Sequence, residues 1–316
     1  MIIAAIIILV LLVFTLSFSY YAYRKAFYSS PRRVEDYRAL PSGEYHDRFR
    51  EARLALIDNI AAQPFERVFI TSRDGLKLVG RFYHFKDNAP LEILFHGYRS
   101  TAYHDCGGGY KLCRDAGLNL LIVDQRAHGE SEGRAITFGI KERYDCLDWV
   151  NYAVGRFGKD VKIVLSGISM GASTVLMASD LPLPENVVGI IADCGYSSPR
   201  EIIRKVCSRK MKITAGFIYP FIRLGAIIFG GFDSNSASAV ESLKKCRIPV
   251  LFIHGEDDRY VPCDMGRENY AACASQKRLF TVPGAGHGYS YLVDEQGYVK
   301  EYYDFLKSVL APHTEE

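Results

Sequence analysis

Val164-Leu165-Ser166-Gly167-Ile168-Ser169-Met170-Gly171-Ala172-Ser173 contains three serines, and only Ser169 lies between two glycines. The apolar run Val161 to Leu165 before it reads as a strand, and Ala172 to Ser179 after it as a helix. A serine on a sharp strand-to-helix turn has a strained backbone. Flanking glycines give that turn room, and the hydroxyl stands above the sheet at a helix N-terminus. Ser166 ends the strand and Ser173 belongs to the helix, so Ser169 is the candidate nucleophile.

A serine hydroxyl needs a base, and the base needs an acid to orient it. On a strand-helix elbow of this kind the chain order is serine, acid, histidine. That order leaves His254, His287 and His313. His313 is in the last few residues. His254 comes straight off a predicted strand and leaves no comparable strand-end acid upstream. His287, in Gly284-Ala285-Gly286-His287-Gly288, follows the last predicted strand in a loop able to reach over the sheet, and is the expected base. The acid then comes from the loop after Ile253, which offers Glu256, Asp257 and Asp258. Asp258 is favoured because it lies deepest, with Val261-Pro262 to hold the loop against the next helix.

An oxyanion needs two preorganised N–H donors. Met170, directly after the nucleophile, supplies one, and Tyr98, in the loop His96-Gly97-Tyr98-Arg99-Ser100, is expected to supply the other. His96 is expected to bond the loop backbone. Gly107-Gly108-Gly109 reads as a flexible helix start or a close backbone approach; it lacks the Lys-Ser/Thr of a phosphate loop. Neither a metal nor a cofactor is expected, and His104-Asp105-Cys106 with Cys113 is far from familiar ligand spacings.

Arg67 to Thr71 and Leu76 to Phe85, joined by Asp74-Gly75, read as a hairpin. Leu91 to Phe95, Leu118 to Val123, Val161 to Leu165, Val187 to Ala192, Ile248 to Ile253 and Arg278 to Val282 are further predicted strands. Ile140 to Val154 and Tyr298 to Leu310 are predicted helices. Short apolar strands alternating with helices indicate a largely parallel sheet covered on both faces. Residues from about 197 to 243 break the alternation, as an inserted cap would.

These residues together resemble the α/β-hydrolase fold superfamily, and within it the membrane-anchored Bem46/YqkD-like serine hydrolases, over roughly residues 65 to 312. The resemblance rests on His96-Gly97-Tyr98, on Asp124-Gln125-Arg126-Ala127-His128-Gly129-Glu130-Ser131 and on Gly167 to Gly171. It rests further on His254-Gly255-Glu256-Asp257-Asp258 with Val261-Pro262, and on Gly286-His287-Gly288. It implies a mostly parallel eight-stranded sheet, the acid at Asp258, and carboxylic-ester hydrolysis without metal or cofactor. It also implies that Asp124, Arg126, His128 and Ser131 form a structural turn near the site. Ala127 stands where glycine is commoner, which should affect the turn and not the chemistry.

Hydrophobic residues are 48% and charged residues 24% of the 316, the balance of a folded globular chain. A net charge of +3 does not suggest a nucleic-acid partner. The eight cysteines form no C-x-x-C pair, which fits free thiols in a reducing compartment. Ile2 to Tyr23 carries no charged side chain, and about 20 apolar residues suffice to cross a bilayer. Tyr20, Tyr21 and Tyr23 suit an interfacial belt, and Arg24, Lys25, Arg32 and Arg33 follow. A cleaved signal carries its charge before the apolar run. The expected arrangement is therefore a single uncleaved anchor over 1–24 with a cytoplasmic body. A linker and amphipathic helix over 25–64 lead to the hydrolase domain over 65–312.

Within the cap, Ile213 to Phe232 is apolar except for Arg223. A second span there would put His287 across the membrane from Ser169. A hydrophobic cap helix pair over the pocket is expected instead, as ordinary cap core or in contact with the bilayer surface. An apolar roof favours hydrophobic esters. Three readings follow: a membrane-tethered carboxylesterase, lipase or thioesterase; a serine peptidase, with Glu142 and Asp145 as exposed acids for a peptide amino terminus; and a non-catalytic scaffold. Nothing in the chain specifies an oligomeric state.

Overall fold

The computed structural model describes residues 1–30, 37–211 and 215–311; Arg32, Arg33, His313 and the start of the Ile213 to Phe232 stretch lie outside them. In chain order the elements begin with α1 (Ile2–Ala26), α2 (Glu44–Arg48), α3 (Arg50–Ala61), β1 (Glu66–Thr71), β2 (Lys77–Tyr83) and β3 (Leu91–Phe95). There follow α4 (Ala102–Ala116), β4 (Asn119–Asp124), α5 (Glu142–Phe157), β5 (Ile163–Ile168), α6 (Met170–Ala178) and β6 (Val187–Asp193). The chain continues with α7 (Pro199–Met211), α8 (Ala215–Gly230), α9 (Ala239–Leu243), β7 (Val250–Gly255), α10 (Cys263–Ala272), β8 (Lys277–Val282), α11 (Ser290–Val293) and α12 (Glu295–Leu310).

The eight strands form one sheet in the order β1-β2-β4-β3-β5-β6-β7-β8. β1 and β2 pair antiparallel, as does β2 with β4; every other pairing is parallel. Alternate residues of the central strands serve two cores, because successive side chains point to opposite faces. Leu91, Ile93 and Phe95 of β3 face one core with α5, α6 and the cap; Leu94 of β3 and Val164 of β5 face the other with α4 and α12. Burial on both faces explains why the strands read as continuous apolar runs.

The amphipathic helix expected within 25–64 is two helices, α2 and α3, broken at Phe49, whose φ of −108° and ψ of 5° leave the helical range. Gly107 explains the glycine run in α4: a β-carbon there would come within 2.8 Å of the Leu56 carbonyl oxygen on α3. The run is thus a close backbone approach inside a regular helix, capped by the Thr101 hydroxyl and ended by Gly117 at φ 70°.

Among the described residues, α1 is the one helix long and apolar enough to cross a membrane. Its side chains from Ile2 to Phe14 are largely exposed, whereas Ser19 and Tyr23 are buried against the body. The chain that follows is stitched down. Phe27 is fully buried, Tyr28 bridges to Ala135, and the Ile136 N–H donates to the Phe27 carbonyl at 2.8 Å.

Candidate active site

β5 delivers Ser169 to the carboxyl edge of the sheet, where reactive groups of open parallel sheets gather. Ser169 has φ 56° and ψ −112°, a conformation that a residue with a β-carbon adopts only at a cost. Its N–H donates to the Asp193 carbonyl at 2.8 Å, which holds the turn. A β-carbon on Gly171 would overlap the Phe95 carbonyl, and one on Gly167 would overlap the Gly171 backbone. The two glycines are therefore required by close approach of α6 to β3 and β5.

The structure brings Ser169, His287 and Asp258 together. Ser169 Oγ lies 2.9 Å from His287 Nε2, and His287 Nδ1 lies 2.6 Å from Asp258 Oδ2. Nδ1–H therefore donates to the carboxylate, and Nε2 is left to accept from the serine. Asp258 is buried, while Glu256 and Asp257 are exposed. Its other oxygen accepts the N–H groups of Tyr260 and Val261 at 2.7 and 2.9 Å. Burial alone would raise the Asp258 carboxyl, but hydrogen bonds from His254 and His287 outweigh it and bring it to about 2. For His287, burial acts downward, yet the hydrogen bond to Asp258 and its charge leave the imidazole raised. His254 is fully buried and donates from Nε2 to the Val261 carbonyl at 2.8 Å, so it supports the acid loop.

Gly97 and Tyr98 lie beside Ser169: a β-carbon on Gly97 would sit 3.4 Å from that of Ser169. The Gly97 N–H donates to Asp105 Oδ2 at 2.8 Å. His96 is fully buried, accepts the Gln125 N–H on Nε2 at 3.2 Å, and so donates from Nδ1 to the Gly97 carbonyl at 2.8 Å. Met170 opens α6, where backbone N–H groups are not consumed by the helix. The Asp124 to Ser131 turn supports this loop: His128 Nε2 accepts the Arg99 N–H at 2.9 Å. Ala127 takes the left-handed φ of 61°, which shows what the missing glycine would have eased.

Glu142 and Asp145 are not exposed acids. Both are buried, Glu142 accepting the Thr137 and Gly139 N–H groups at 2.7 and 2.8 Å, and Asp145 holding the Arg126 guanidinium at 2.5 and 2.6 Å. Each answers a neighbouring loop, so neither reaches a pocket. Two groups near the site went unread in the sequence, Asp193 and Cys194 at the end of β6. Their position at a carboxyl strand end was the available signal. Burial pushes the Asp193 carboxyl up to about 6, and Tyr298 donates to it at 3.3 Å.

Cys194, Asp258 and His287 place ligand-type atoms within 4.8 Å of one another. Burial pushes the Cys194 thiol well up, so it stays protonated and is a poor ligand, and the other two are engaged with each other. Asp105 and Cys113 are engaged elsewhere, on Gly97 and Glu92.

Ser169 and His287 open onto two chambers. One, of about 580 Å³, carries His46, Arg53, Asp105, Asp193 and Tyr289 on its walls. The other, of about 670 Å³, is walled largely by apolar side chains of the cap and of α1.

Residues 93–301 match the profile of the alpha/beta hydrolase family. The chain belongs to that family. It is 27% identical over 198 residues to the uncharacterized protein YqkD of Bacillus subtilis, covering 63% of this chain and 65% of YqkD. It thus spans just under two thirds of that relative. It is 24% identical over 248 residues to bem46 of Schizosaccharomyces pombe, covering 77% of this chain and 76% of bem46. Its fold is similar to that of a Pyrococcus furiosus esterase, with a TM-score of 0.68 at 21% identity over 90% of this chain and 99% of the other.

Proposed function

We propose that this alpha/beta hydrolase family member is a membrane-anchored serine hydrolase cleaving hydrophobic acyl esters. The observation that carries the reading is the continuous relay from Ser169 Oγ to His287 Nε2 and from His287 Nδ1 to Asp258, on a strained elbow. In this reading His287 takes the Ser169 proton as Oγ attacks the ester carbonyl. Negative charge moves to the carbonyl oxygen, where the N–H groups of Met170 and Tyr98 receive it. His287 then protonates the departing alkoxide, leaving an acyl group on Ser169. Water, deprotonated by the same histidine, attacks that acyl group and regenerates the serine. Asp258 stays ionised throughout and holds the imidazole in the required tautomer. Every step uses the chain's own groups.

The apolar chamber on one side of Ser169 supports an acyl substrate, thioesters included, over a sugar or phosphate. The esterase description belongs to the P. furiosus protein; here it adds weight to the reading and no substrate. The peptidase alternative loses its two acids, since Glu142 and Asp145 are buried away from the chambers. The anchoring half of the proposal is supported by α1 and by Arg24 and Lys25 at its end, which favour a cytoplasmic body.

A fluorophosphonate probe tests the reading. Wild type should label and Ser169→Ala should not; labelling that persists in the variant would remove Ser169 from the chemistry. Profiling p-nitrophenyl esters of increasing length against aminopeptidase substrates then separates esterase from peptidase.

A further inference from the structure

The apolar chamber has an unusual wall. Phe18, Tyr21, Ala22, Lys25 and Ala26, all on α1, line it together with the cap residues facing them from α7 and α8. A helix serving only as a tether has no reason to reach the nucleophile's chamber. Here α1 does so because α8 runs alongside it in the same direction. Phe18 packs on Phe221 with ring centroids 5.1 Å apart, and Tyr20 on Phe229 at 5.0 Å. Between these contacts the helices nearly touch: a β-carbon on Gly225 would overlap the Ser19 carbonyl. A small residue at a helix crossing of this kind is what lets two backbones approach closely.

The same pair is apolar on its outside. Ile2 to Phe14 of α1 is exposed, and on α8 Phe217 is 75% exposed, with Ile227, Ile228 and Phe229 also open. Exposed apolar surface this continuous marks contact with another apolar phase. Because the helices run parallel with Phe221 beside Phe18, a bilayer that takes up the first half of α1 meets the start of α8 at Phe217. The chamber then lies directly behind a membrane-facing wall. The other chamber beside Ser169 is the more polar of the two, with Arg53, Asp105 and Asp193 on its walls.

We infer that α1 is a working wall of the acyl site, and that the substrate is a bilayer-resident amphiphile with an acyl chain. The chain lies against α1 and α8 in the apolar chamber, and the polar alcohol portion occupies the chamber that carries Arg53, Asp105 and Asp193. The apolar chamber that receives the chain is bounded chiefly by α1, α7 and α8. This inference rests on the serine-hydrolase reading above and deepens it. The seating places the ester carbonyl at the junction of the two chambers, whose walls have Tyr98, Arg99, Ser169, Tyr260 and His287 in common.

The test uses the full chain in phosphatidylcholine vesicles and a long-chain alkyl fluorophosphonate with a photoreactive diazirine at its tail. Reaction with Ser169 fixes the head, and illumination reports where the tail lies. Cross-links on the α1 residues 18–26 and on α8 are expected. Cross-links confined to α3, α4 or α11 would overturn the inference while leaving the hydrolase reading intact. In parallel, Ala22→Trp fills the chamber from the α1 side. The laurate-to-butyrate ratio of kcat/KM should fall by about tenfold or more, since even one displaced methylene in an apolar pocket has an effect of that order. An unchanged ratio in a folded variant would equally overturn it. Failure of wild type to label at all would bring down the hydrolase reading, and this inference with it.

Discussion

The phenol of Tyr98 donates to the carbonyl of Ala26 at 2.7 Å, and this bond ties the loop facing Ser169 to the last residue of the apolar helix. Arg99 reinforces it, donating to the carbonyls of Lys25 and Tyr28 at 3.0 and 3.2 Å. The loop proposed to hold the oxyanion is thus positioned from α1. Removing only the phenol tests this. Tyr98→Phe keeps the ring and the backbone N–H and loses one hydrogen bond of about 0.5–1.5 kcal/mol. We expect kcat on a p-nitrophenyl ester to fall about two- to tenfold with little change in KM. A kcat equal to wild type would show that the tether does not position the loop.

Asp258→Asn should leave the fold intact and cost about three to four orders of magnitude in kcat, because the imidazole loses its tautomer and its counter-charge. The pH profile supplies the sign. A base acts only when neutral, and the His287 imidazole is raised above its ordinary 6.5. The acid limb of kcat/KM should therefore have its midpoint above 6.5 in wild type and move downward in Asp258→Asn. Asp258 itself, lowered from 3.8 to about 2, contributes stability that is present above 3.8 and lost as pH falls through about 2. An acid limb that stays in place in the variant would argue against the pairing.

Gly171→Ala asks the Phe95 carbonyl to move, and both partners are backbone. The expected loss is about 3 kcal/mol or more, at the upper end of overpacking effects. Urea unfolding should show a lower midpoint, and the remaining folded protein should label slowly with fluorophosphonate. A midpoint within error of wild type would mean the elbow has slack that the geometry does not suggest.

Arg126→Ala leaves the buried Asp145 carboxylate without its partner and also frees Asp74, held at 2.8 and 3.1 Å. Breaking a buried pair from one side costs about 3–5 kcal/mol. The unfolding midpoint should drop accordingly, whereas Ser169 labelling at low temperature should persist, because Arg126 acts on the turn and not on the chemistry. Loss of labelling in a fully folded variant would assign Arg126 a more direct part.

Several elements were legible because local spacing encodes them. Leu91 to Phe95 keeps the same bounds as a strand, and the strand at Val187 extends by one residue to Asp193. The α5 acids misled for a definite reason. Glu142 and Asp145 fall near the start of a helix, where a solvent-facing carboxylate is ordinary. Their burial depends on Thr137 and Arg126, loop residues whose return to that helix no periodicity announces. Gly107 in α4 was ambiguous for the same reason, since its partner Leu56 lies 51 positions away in the chain.

By itself the sequence determined the serine elbow, the order serine, acid, histidine, the alternation of apolar strands with helices, and one apolar helix at the start. These depend on periods of two and 3.6 residues and on glycines adjacent to the residue they serve. Only the tertiary structure decided that Asp258 is the carboxylate bonded to His287, that Asp105 braces the loop at Gly97, and that α1 packs on α8 to wall a chamber at Ser169. Those relations join residues far apart in the chain. They arise from how helices and loops fill the space above the sheet edge, where packing and hydrogen-bond satisfaction act together and leave no local signature.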